Sequence, residues 1–146
     1  MSSAVAESQP SATWRWAWPT GRVLMAILFL VSGLLKLAFH APIAGAIASK
    51  GLPAADLAAW GSALLEIGAA GALIIGRQVR PAALILAGWS VLTAVMFHDF
   101  WAYQGMEQQM QMSNFLKNIA LVGGLLVIAH VASSAPAASA RSGDVQ

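Results

Sequence analysis

Seven polar side chains stand where this sequence is otherwise apolar: Lys36, His40, Glu66, His98, Asp99, Lys117 and Asn118. Two carboxyls, two ammonium groups and two imidazoles can exchange protons, and an amide can hold a carbonyl. Set in a low-dielectric surround, such a group costs several kcal/mol unless it is neutral or paired, so each one marks a candidate site. Glu66 has nine residues of an apolar run on either side of it, which puts it near the middle of that run. It cannot reach water from there, and the long side chain of Lys36 is the best base to meet it. His98 and Asp99 interrupt MFHDFW at 96–101. Neighbours on a helix point about 100° apart, so these two do not form a dyad, and His98 is the stronger site candidate.

The elements that position these groups follow from composition. The chain has 146 residues, of which 58% are hydrophobic and 10% charged. Soluble domains carry about 25% charged residues, so this chain lacks the polar surface to cover itself in water. Four runs approach the ~20 apolar residues that cross a bilayer. They are 22–39, 57–75, 81–97 and 115–131. The expected fold is all-α, an integral membrane four-helix bundle over residues 21–131. Residues 1–20 form an N-terminal tail with interfacial Trp14, Trp16 and Trp18, and 132–146 a disordered C-terminal tail. No apolar region of a signal peptide precedes the first run, which is therefore read as an uncleaved span. Small residues such as Gly33, Gly68, Gly71, Gly88, Gly123 and Gly124 allow close helix approach, which drives association where lipid is as apolar as leucine.

Charge gives the orientation. Arg15, Arg22, Arg77, Arg80 and Arg141 fall on the side of the termini, and the short link GRQVR at 76–80 has two arginines and no acid. The positive-inside rule predicts both termini in the cytoplasm. By helical rise, the seven polar residues then occupy the midplane or the outer half. The spans predict a polar pocket opening outward, with Glu66 its deepest member.

Several chemistries are excluded or unsupported. The chain has no cysteine, so it offers no disulfide, thiolate zinc or Cys-ligated iron–sulfur cluster. Met106, Met110 and Met112 near His98 could suit Cu(I), but their spacing is irregular and they read as part of a short amphipathic interfacial segment. His40 and His98 share a side but lie too shallow to hold haem across a bundle. The basic residues are spread singly, so no nucleic acid partner is expected.

The set SGLLKL at 32–37, GLP at 51–53, LLEIGAAGALIIG at 64–76, FHDFW at 97–101 and NFLKNIALVGGLL at 114–126 resembles the DoxX family of small four-helix bacterial membrane proteins. The resemblance implies a multi-pass protein of the bacterial plasma membrane. It also implies a link to quinone-coupled sulfur oxidation or to oxidative-stress handling, and it places the family's polar pattern on Lys36, Glu66, His98, Lys117 and Asn118. The lack of cysteine means that any sulfur chemistry belongs to a partner.

The favoured reading is the membrane subunit of a quinone-linked oxidoreductase or oxidative-stress system. Glu66 and Lys36 are its candidate proton relay, and His98, Lys117 and Asn118 its candidate quinone-binding groups. A quinone is the cofactor candidate. The partners are the lipid bilayer, a soluble or membrane redox protein, and a second copy of the chain as a candidate homo-oligomer. Two alternatives stand beside it: a small proton or solute carrier, and a non-catalytic assembly or anchoring protein.

Overall fold

The computed structural model describes residues 15–134. Five α-helices follow one another: α1 (Ala17–Ala38), α2 (His40–Ser49), α3 (Ala55–Ile75), α4 (Val79–Phe97) and α5 (Gly105–Ser134), with one 3-10 turn at Phe100–Ala102. No strand occurs among the described residues. α1, α3, α4 with its 3-10 extension, and α5 are long and apolar enough to cross a membrane. α2 is the exception. Its ten residues, about 15 Å of helix, are too short to span.

Local chemistry explains the breaks. α1 stops at Phe39, whose backbone leaves the helical region (φ −115°, ψ 44°). The chain re-enters a helix at His40, and Pro42 is accommodated in that first turn, where no N–H is needed. α3 ends at Gly76 with φ +80°, a left-handed position that costs glycine nothing. Gln78 (φ 52°) then turns the chain into α4, which carries Pro81 in its first turn. The α3–α4 link is therefore three residues long, which forces the two helices antiparallel.

The structure departs from the sequence reading in three places. The fourth span starts at Gly105 rather than near 115, so the methionine-rich stretch is the first turns of a 30-residue helix. An acidic residue, Glu107, suits the positive end of that helix. The segment after the first span, left without an element, forms α2. α1 and α5 also take in residues 17–20 and 132–134, which the sequence reading places in the tails. Trp14 and the remainder of both tails lie outside the described residues.

The bundle is built as two pairs. α1 lies mainly along α3, and α4 mainly along α5. Between them, toward the α3–α4 turn, sits a dry core of Ala26, Phe29, Ala70, Leu73, Val79, Ala82, Ala83, Leu86, Ala87, Leu125, Ile128 and Ala129. Six of these twelve are alanine, which lets four helix backbones approach closely at this end. Gly33 does the same for α1 and α3. A Cβ built there would fall 2.7 Å from Ile67 and 3.0 Å from the Ala63 carbonyl. Large apolar side chains such as Leu24, Leu64 and Val127 are more than 60% exposed, as lipid-facing residues must be.

Candidate functional site

A cavity of about 570 Å³ lies between the helices in the half away from the α3–α4 turn. All four long helices line it, and α2 contributes Ile43 and Ile47 from one side. Its walls are mostly apolar. Polar groups reach it from Lys36, Glu66 and Trp89, which meet at one point, from Asn118, and from His98 nearer the end of the bundle. Ser62 and Thr93 also reach the wall, but their hydroxyls are occupied by carbonyls of their own helices.

Glu66 is 3% exposed. Its Oε1 accepts two hydrogen bonds, from Lys36 Nζ at 2.5 Å and from Trp89 Nε1 at 2.6 Å. Lys36 also lies over the Trp89 ring, 5.3 Å from its centroid, so the indole supports the ammonium by its π-face as well. Three helices are thereby tied at one point. The second oxygen, Oε2, is buried and has no hydrogen-bond partner. A carboxylate offers about four acceptor positions, so this half of Glu66 is unsatisfied in a place where that costs free energy.

The pairing expected between Lys36 and Glu66 is therefore present. Trp89 was missed. Its signal was its position, since a tryptophan at mid-span, away from the interfacial belt, has an indole N–H that needs a buried acceptor.

The other candidates divide. His98 lines the cavity, and its Nδ1 pairs with Gln111 Oε1 at 2.9 Å, so α5 orients the ring from its added first turns. Asn118 also lines the cavity while its Nδ2 donates to the Asn114 carbonyl. Lys117 lies away from the cavity. It is exposed and reaches Asn114 Oδ1 at 3.4 Å. One helical step separates it from Asn118, and that step carries it to the lipid-facing side. Asp99 accepts from Lys50 Nζ at 2.8 Å and ties the end of α2 to the end of α4. That contact raises the Lys50 pKa above its ordinary value, chiefly through the hydrogen bond to Asp99. His40 stacks on Trp60 with centroids 4.5 Å apart and lies 3.6 Å from Asp56, outside the cavity. Phe100, Trp101 and Phe115 pack edge to face beyond it.

The DoxX family model matches residues 17–99. Inner membrane protein YphA of Escherichia coli (strain K12) is 30% identical over 108 residues, covering 74% of this chain and 77% of that protein. Inner membrane protein YqjF of the same organism is 35% identical over 108 residues, covering 74% of this chain and 78% of that protein. No solved structure matches the chain. The matched region holds the Lys36–Glu66–Trp89 cluster, His98 and four of the five helices, and with the four candidate spans it establishes that the chain belongs to the DoxX family of multi-pass bacterial inner-membrane proteins.

Proposed function

We propose that this protein is a membrane-embedded binding subunit, and that its cavity takes the head group of a quinone-class carrier in its hydroxyl-bearing, reduced form. The observation that carries the reading is the unpartnered Glu66 Oε2 beside a Lys36 ammonium with N–H groups to spare. One hydroxyl satisfies both: it donates to Oε2 and accepts from Nζ. The apolar walls suit a ring and a hydrocarbon tail, and 570 Å³ falls within the ~300–1,000 Å³ of small-molecule sites. Asn118 and His98 add further polar groups to the wall of the same cavity, and these support the reading. A bound quinol would supply two electrons and two protons, and the electrons would pass to a partner protein. This chain's part is to bind and orient the head group and to hold a proton acceptor, Glu66, against its hydroxyl.

The carrier reading is less well supported. A path for ions or polar solutes must cross both halves, and the half toward the α3–α4 turn is filled by Ala70, Leu73, Ala83, Leu86 and Leu125, all 0% exposed. A purely structural role explains the Lys36–Glu66 pair but leaves the cavity and Oε2 without a purpose.

The test is a titration of purified protein with short-tail ubiquinol and menaquinol analogues, read by quenching of Trp89 fluorescence against a Trp89→Phe control. Glu66→Gln removes the charged acceptor and should weaken binding about tenfold or more, a loss of ~1.4 kcal/mol. No saturable binding to the wild type, or equal affinity for Glu66→Gln, refutes the reading.

A further inference from the structure

A second concavity, about 360 Å³, lies at the opposite end of the bundle, where α1 begins, α5 ends and α3 turns into α4. Trp18, Arg22, Gln78, Arg80 and Ala132 line it. Arg22 is seated by the backbone. Its guanidinium lies across Gly76, where a Cβ would fall 2.6 Å from Nη1 and 3.0 Å from Nη2. Gly76 thus serves twice, as the left-handed end of α3 and as a floor with room for an arginine. The position also sets a cation against the negative end of the α3 dipole. Even so, the Arg22 Nε is buried with no acceptor. Arg80 is exposed at the rim.

Among the described residues, neither arginine has an acidic partner. The described carboxylates are Asp56, Glu66, Asp99 and Glu107, and all lie at the midplane or toward the other end. Two guanidinium groups therefore share one pocket with no counter-charge among the described residues. Planar guanidinium forks match phosphate oxygens two at a time. Basic pockets between spanning helices are suited to anionic lipid heads.

We propose that this pocket binds the phosphodiester of an anionic phospholipid, held by Arg22 and Arg80. Gln78 can donate to a further head-group oxygen, and the Trp18 indole sits at the depth of the glycerol region. The acyl chains then run along the exposed apolar faces of α1 and α5, where Leu24 and Val127 lie. The site is separate from the cavity near Glu66, and nothing in it depends on the quinol reading.

The experiment uses the full chain, purified gently and reconstituted in phosphatidylcholine nanodiscs with or without phosphatidylglycerol, with retained lipid measured by native mass spectrometry. The wild type should keep phosphatidylglycerol through delipidation and not phosphatidylcholine. Arg22→Gln and Arg80→Gln should each lower that retention about tenfold, while Arg77→Gln, exposed on the same link but outside the pocket, should leave it unchanged. Arg22→Gln removes a packed side chain and can loosen the fold, so Arg80→Gln at the exposed rim, with its melting temperature checked, is the deciding variant. Equal loss in Arg77→Gln would reduce the effect to diffuse surface charge and overturn the site. Saturable binding of inorganic phosphate without selective lipid retention would overturn the lipid assignment.

Discussion

The two halves of this bundle solve opposite problems with the same four helices. Toward the α3–α4 turn the chain is alanine-rich and closed, with Leu73, Leu86 and Leu125 fully buried. Toward the other end a cavity lies between the helices, and Glu66, Lys36 and Trp89 tie three of them together beside it. Packing closes a bundle where the side chains of facing helices interlock. Where they do not, a void remains, and a polar clasp at its floor keeps the helices in register. The comparison teaches that small residues alone do not close the bundle, since Ala59, Ala63 and Ala94 are buried in the cavity half as well. The clasp both tolerates the cavity and gives it chemistry.

Substitutions can break this contrast at either half. The largest effect should come from Glu66→Leu, which leaves a part-buried ammonium and an indole N–H without their acceptor. Removing one partner of a buried pair costs about 3–5 kcal/mol, measurable as lost thermal stability in detergent. A loss below ~1 kcal/mol would mean that water reaches the pair freely.

Next is Leu86→Ala in the closed half, expected to cost about 2–5 kcal/mol because the alanines around it cannot collapse into the hole. Met96→Ala, on the cavity wall, should cost far less, since that side chain already borders a void. Equal costs would show the two halves to be packed alike.

Gly33→Ala tests the point where the halves meet. Its Cβ would press on the Ala63 carbonyl and on Ile67, pushing α1 off α3. The expected penalty is about 1–3 kcal/mol, together with weaker quinol binding, because Lys36 moves with α1. Lost stability with unchanged affinity would separate the seam from the site.

The smallest effect belongs to Lys50→Met. This exposed tether should change melting temperature little and act mainly on how firmly α2 stays against the cavity. Its pH behaviour has a definite sign. Lys50 is raised in the folded protein, so any stabilisation from its charge is full below the ordinary lysine value and is lost only as pH rises through the raised one. Between about pH 6 and 9 the Lys50 contribution should therefore be flat. A wild-type-minus-Lys50→Met difference that varied across that range would contradict it.

Much of the site could be read early because intramembrane charge is rare. Glu66 and Lys36 stood out by cost alone; helical rise put Glu66 at the midplane and Lys36 nearer the outer face, and the long lysine side chain can bridge that difference. Trp89 and Gln111 did not stand out, because an indole inside an apolar run reads as bulk and a glutamine between spans reads as surface. Their roles depend on which face each helix turns inward, and hydropathy says little about that when every face is apolar. The same limit applies to Lys117, which does not line the cavity. Depth grouped it with Asn118, but rotation by one residue put the two on different sides of α5.

The sequence by itself determined the class of solvent, the number of long helices, the α3–α4 turn at Gly76 and the depth of the charges. All of these rest on local composition and length, which neighbouring helices do not alter. Only the tertiary structure decided that the helices pair as α1 with α3 and α4 with α5, that α2 folds against them, and that one oxygen of Glu66 accepts two hydrogen bonds while the other is left without a partner. Those outcomes turn on small residues meeting across helices far apart in the chain, and that complementarity exists only once the helices have packed.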